Sequence, residues 1–499
     1  MSDPSAESNA LEPGGTYVGR GQAWIAWILI LALVGLRLAS EIVAAQQPAA
    51  KGADSLDVSF AIEMQSRFLV GLRQLERRGE TQSVGNFYKE SLEYLNQGDV
   101  NQRLRGIITI GEIEGAGRAL GALLELDAKL LLVGMKGNGR PAMSADQKRV
   151  REVLLAVYRS VQGNKDPVGE IPKPDQEFLR KQLGWYGDLA LVPRGISPWA
   201  NRESVLRKCE GLVLYAGILV CLLGFWMLLG TFGLLFGLGA TASGGLARKF
   251  TPGHGAGRIY AETFAVWLLM FAIVGTVAAM YPIPGLELGG QGLAMLGCLW
   301  LATLWPWMRG VPAYVIVRDV GLVRGRGIFV ESILGIVGYW ATLPFLCFGM
   351  IVMMILMAAV SIGTPPLDPN SFDPVELPSH PIIRYALGGN PLLLAQMVLL
   401  ACVFAPLVEE TMFRGFLYRH LRDASAGLGI LLSVLFSALW NGFVFAAIHP
   451  QGWIAIPPLM GIAFGLSLIR EWRNSLIPGM VAHGLSNGLV MSLLIVAGR

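Results

Sequence analysis

Close to the carboxy terminus, seven side chains have the types and spacing that could carry chemistry in an apolar setting. Glu409, Glu410 and Arg414 follow an apolar run that begins at Leu392. On a helix Glu410 and Arg414 stand at i and i+4 and can neutralise each other, whereas Glu409 is turned about 100° away and keeps no partner in its own segment. Phe445 and His449 form a second i, i+4 pair at the end of another apolar run, and His483 and Asn487 a third in the first half of the last run. The blander alternative is a structural ion pair at a helix end with hydrogen-bonded interhelical histidines. Charge inside a bilayer costs about 2.5 to 3.5 kcal/mol per group at a helix centre and so points to function.

Depth decides whether these patches meet. Counted from a turn near Gly427 at about 1.5 Å per residue, Glu409 lies roughly 27 Å and His449 roughly 33 Å away, so an antiparallel hairpin brings them within one helical turn of level. From the break at Arg470 to Asn474, His483 and Asn487 lie roughly 15 and 20 Å along the last helix. All four are expected in one intramembrane cavity.

The elements that must position them follow from composition. The chain has 499 residues, 53% hydrophobic and 15% charged, with a formal charge of +4 and a mean hydropathy of +0.51. These values exclude a purely soluble enzyme, and the small net charge excludes a nucleic-acid binder that works by massed cations. The partner is the lipid bilayer. More than half of the charged residues fall between Lys51 and Lys208, so the expected fold is all-α: a polytopic helical membrane protein with an N-terminal helical water-soluble domain. Residues 1–22 read as a disordered tail. Residues 23–44 read as an uncleaved anchor helix, with a signal peptide as the rival; the tail ahead of them is acidic where a signal peptide should be basic. Residues 45–208 form the helical domain, its function not legible, 209–380 are transmembrane helices, and 381–499 are the site-bearing core. Apolar runs at 211–238, 260–280, 292–308, 329–360, 392–413, 428–449, 453–469 and 475–497 give about eight spans, nine with the anchor. Pro344 leaves open a kink or a second span within 329–360.

Breaks with basic excess (Arg248/Lys249/Arg258, Arg309/Arg318/Arg324/Arg326, Arg414/Arg419/Arg422, Arg470/Arg473) alternate with breaks that are acidic or uncharged. The positive-inside rule then puts the helical domain on the extracytoplasmic side of a bacterial inner (plasma) membrane, with Gly363 to Asn390 as a long external loop. The five cysteines lie in or beside apolar runs and give no disulfide framework.

The ordered triplet Glu409-Glu410-x-x-x-Arg414, Phe445-x-x-x-His449 and His483-x-x-x-Asn487, with Gly415 to Arg419 and Asn474 to Pro478 beside it, resembles the CPBP family of CAAX proteases and bacteriocin-processing enzymes, which includes the type II CAAX prenyl proteases. The resemblance covers roughly residues 382–497. It implies an intramembrane endopeptidase in which Glu409 and His449 activate water, His483 and Asn487 support the oxyanion, and Glu410 with Arg414 holds the helix. The substrate it implies is a membrane-associated protein or peptide. The family is often labelled metalloprotease, and Glu409, His449 and His483 are acceptable zinc ligands. The His-Glu-x-x-His zinc signature is absent from the sequence, and metal-free catalysis is the expectation. Gly484-Leu-Ser486-Asn-Gly488 fits G-x-S-x-G, but a nucleophile elbow needs a strand-to-helix turn. The non-enzymatic alternative is a transporter, scaffold or immunity protein with a polar cavity.

Overall fold

A computed structural model of the protein describes residues 22–46, 56–79, 85–135, 143–243, 249–251, 256–363, 372 and 390–498. The expected disordered tail and most of the expected external loop lie outside them. Among the described residues there are helices and no strand, and nine of those helices are long and apolar enough to cross a membrane. The chain is an all-α, polytopic integral membrane protein. The run around Pro344 is one continuous helix, Ile328–Gly363.

Contacts divide the chain into two units. The helical unit spans Gln47–Leu222, Val360–Leu387 and Leu493–Arg499. Its core joins residues at helical spacing, such as Leu104, Ile107 and Ile108 on Val100–Glu114, to Leu154 and Val157 on Ala145–Gln162. Asp99 and Ser144 start those two helices with capping boxes, each satisfying otherwise orphaned N–H groups. Glu112 is buried in this unit, where its Oε1 accepts from Arg202 at 2.7 Å and Gln74 at 3.2 Å, with Arg77 3.6 Å away. Burial, reinforced by Arg194, pulls the Arg77 guanidinium down to about 10. The Arg103 guanidinium donates to the carbonyls of Asn96 and Gly98 and lies 4.7 Å from the centre of the Phe372 ring.

The membrane unit spans Met1–Gln46, Leu223–Ala359 and Gly388–Ser492. The first helix, Ala23–Gln46, buries Ala26, Ile30 and Val34 at i, i+4 and i+8 in the same core as Ile259 and Phe264 of the helix Gly257–Met280. A specific polar contact accompanies this packing: Trp27 Nε1 donates to His420 Nε2 at 2.9 Å, and His420 Nδ1 donates to the Gly257 carbonyl at 2.8 Å.

The basic breaks used for orientation are of two kinds. Lys249, Arg258, Arg324 and Arg326 are exposed. Arg419, Arg422, Arg470 and Arg473 are buried instead. Arg422 donates to Glu471 at 2.5 Å, Arg473 to Glu331 at 2.9 Å, and Arg419 to Asp423 at 3.4 Å. Arg419, Arg422 and Arg470 also gather around the Phe250 ring, their guanidinium carbons 5.1 to 5.8 Å from its centre. A buried cation requires such partners, so these four arginines bind protein rather than headgroups, a correction to counting them as loop charge.

Candidate active site

Three helices of the membrane unit carry the seven residues: Pro391–Ala424, Ile430–Ala447 with the turn after it, and Ile477–Gly498. The first is not a uniform α-helix. It widens into a π turn at Leu400–Phe404, returns to α at Ala405–Glu409, and widens again at Glu410–Leu417. In the π turns the N–H groups reach five residues back, as Ala405 does to Leu400 and Tyr418 to Phe413. Such turns change helix phase and concentrate at functional sites.

Within the second π turn the expected ion pair forms. Arg414 donates to Glu410 Oε1 at 3.0 Å, both side chains fully buried. Arg414 also donates to the Ala463 carbonyl at 3.2 Å, and its guanidinium carbon lies 4.7 Å from the Phe445 ring centre. Glu410 Oε1 has a second donor: His483 Nδ1 at 2.9 Å.

His449 lies just past the end of its helix, not on the helix face that the i, i+4 spacing suggested. Its Nδ1 is 2.6 Å from the Phe445 carbonyl, closing the last turn. A backbone carbonyl only accepts, so Nδ1 carries the proton and Nε2 presents a lone pair. Glu410, already accepting from Arg414, accepts from His483 in the same way and gives it the same tautomer. The Phe445 ring touches both imidazoles, 4.3 Å from His449 and 5.8 Å from His483 by ring centres, and meets Phe413 at 5.1 Å.

Glu409 faces the two Nε2 atoms: its Oε2 is 3.8 Å from His449 and 3.7 Å from His483. That oxygen is buried and has no hydrogen-bond partner among the described residues. Glu409 and His449 keep 15% and 18% of their side-chain surface accessible while Glu410 keeps none, so it is Glu409 and His449 that a substrate can reach. Asn487 is spent differently: its Nδ2 donates to the Ala401 carbonyl at 2.7 Å. The structure therefore groups Glu409, Glu410, Arg414, Phe445, His449 and His483 directly and attaches Asn487 to the backbone that leads into Glu409. Ser486 sits within the last helix, without the strand that a nucleophile elbow needs.

Gaps of 3.7 and 3.8 Å between Glu409 and the histidines are wider than the about 3.3 Å that separates ligands held about 2.0 to 2.1 Å from a tetrahedral zinc ion. No group of three His, Cys, Asp or Glu side chains among the described residues closes to metal-holding spacing.

Sequence reasoning missed three contributors. Arg470 clamps the site helix from below, donating to the Arg414 carbonyl at 3.4 Å, the Asp319 carbonyl at 2.8 Å and Asn474 Oδ1 at 2.7 Å. Gly479 admits Glu410, since a Cβ there would lie 2.9 Å from Oε2. Pro406, in the apolar run just before Glu409, was the visible sign of an irregular helix.

Fold and site together define a polytopic helical membrane protein with a carboxylate and imidazole cluster held between its late spans. Residues 391–489 match the family described as Rce1-like, type II CAAX prenyl endopeptidase Rce1-like. The match takes in all seven residues and agrees with the resemblance carried by the motifs, so this segment is CAAX-protease-like. No curated protein and no solved structure matches the chain.

Proposed function

We propose that the membrane unit is an intramembrane endopeptidase that hydrolyses a peptide bond of a membrane-associated protein or peptide with water activated by Glu409 and His449. One observation carries the reading. Three acceptor atoms, Glu409 Oε2 and the Nε2 atoms of His449 and His483, face one another, a convergence that favours a donor shared among them, and water is such a donor. Glu409 accepts a water proton as the water oxygen bonds to the substrate carbonyl carbon, and returns it to the amide nitrogen as the C–N bond breaks. His449 Nε2 accepts the second water hydrogen and orients the attack. His483, its Nδ1–H held by Glu410, offers its Nε2 lone pair as a further acceptor that keeps the water beside Glu409.

The helical unit is proposed to lie on the extracytoplasmic side of a bacterial inner membrane. Phe372 against Arg103 supports one side for Phe372 and that unit. The experiment for the catalytic reading is a comparison of peptides released from proteoliposomes holding membrane-protein substrates, with the native protein and with Glu409→Gln. Peptides that appear only with the native protein support it; identical peptide sets sink it.

A further inference from the structure

Asn487 was expected at the oxyanion, yet its amide is engaged elsewhere, and the reason lies in the helix opposite. In an α-helix the Ala401 carbonyl accepts from Ala405, four residues on; in a π turn it accepts from residue 406. Here Ala405 N–H is given to Leu400, and residue 406 is proline, which has no N–H. Both backbone donors are gone, and Asn487 Nδ2 supplies the replacement at 2.7 Å. The adjoining carbonyl, Cys402, faces Gly484, where a Cβ would come within 2.6 Å of its oxygen. The last helix is thus fitted to a backbone gap eight residues before Glu409.

We propose that Asn487 is a positioning residue: by replacing the hydrogen bond that the π turn and Pro406 remove from Ala401, it fixes the phase at which the helix delivers Glu409 to the histidines. This deepens the proposed function, on which it rests for the role of Glu409, but the Asn487–Ala401 splice is a property of the resting protein. A purely oxyanion-binding amide would act only on the reacting substrate and leave helix register alone.

Native Cys402 supplies a reporter. A Cβ at Gly488 would lie 3.7 Å from Cys402 Sγ, so Gly488→Cys places a second thiol in reach. Copper-phenanthroline oxidation of the full-length protein in membranes, followed by mass spectrometry of the peptide pair that joins Cys402 to the introduced thiol, reads helix register without any substrate. Adding Asn487→Leu is expected to slow this cross-link about tenfold, the scale of a buried carbonyl left unpaired. Asn487→Asp, which keeps the shape but presents oxygen to oxygen, should do the same. Pro406→Ala returns a backbone N–H that the Ala401 carbonyl can take up within the π turn, and in the Asn487→Leu background it should restore the rate. An unchanged rate in Asn487→Leu overturns the proposal. So does a slowed rate that Pro406→Ala fails to restore, or the failure of both Asn487 variants and the double variant to accumulate. A slowed and rescued cross-link in a protein that cleaves nothing, native form included, would break the proposed function and leave this inference standing.

Discussion

Glu112 and Glu409 are both carboxylates sunk among helices, one in each unit, and the fold treats them in opposite ways. Around Glu112 the helical unit gathers Arg202, Gln74 and Arg77 from two other helices on one oxygen. Around Glu409 the membrane unit brings two ring nitrogens that offer lone pairs, and Oε2 has no hydrogen bond among the described residues. A buried charge kept for structure is surrounded by donors. One kept for proton transfer is left underserved, at a cost that the rest of the site must offset. Glu410, next in sequence to Glu409, behaves like Glu112: its Oε1 serves Arg414 and His483.

The contrast can be broken at either end. The largest effect is expected from Glu409→Gln and His449→Ala, which should lower peptide release about a thousandfold while membrane-inserted protein stays at native abundance; a parallel fall in abundance would make Glu409 a structural carboxylate after all. Next, Arg414→Ala and Glu410→Ala should each cost about 3 to 5 kcal/mol by leaving a buried partner uncompensated, read as lost abundance or a lowered unfolding temperature in detergent. Glu112→Ala should fall in the same range by stranding Arg202, but turnover per folded molecule should stay native; a fall in that turnover would erase the distinction between the two acids. A smaller effect, about 1 kcal/mol, is expected from Trp27→Phe, which removes one hydrogen bond to His420 and keeps the ring. The smallest sharpens the chemistry: chelation of zinc from purified, active protein should leave peptide release unchanged, and loss reversed by zinc alone would mean that the histidines and Glu409 close on a metal.

The level meeting of Glu409 with His449 was legible because helix rise is nearly constant, so counting from two turns fixes depth. The Glu410–Arg414 pair was legible for the same reason. The helix carrying it was not, since a 3.6-residue period cannot register two π turns, and Pro406 alone does not say which carbonyl loses its donor. The contact of Asn487 was not legible because its partner is a backbone oxygen 86 positions away, invisible to any reading of side-chain types. Arg473 and Glu331, 142 positions apart, show why charge counting overstated the basic surface: sequence displays a cation but not the acid that folding brings to it.

The contact between Trp27 and His420 has a consequence for synthesis. The two are separated by 393 positions, and chains grow at about 5 to 20 residues per second. The first helix therefore spends roughly 20 to 80 s in the membrane before its imidazole acceptor has been translated. During that interval Ala26, Ile30 and Val34 can meet only the early helices, of which Gly257–Met280 supplies the matching face. Packing comes first and the hydrogen bond last, so the final polar contact reports that the late spans have arrived on a scaffold assembled without them.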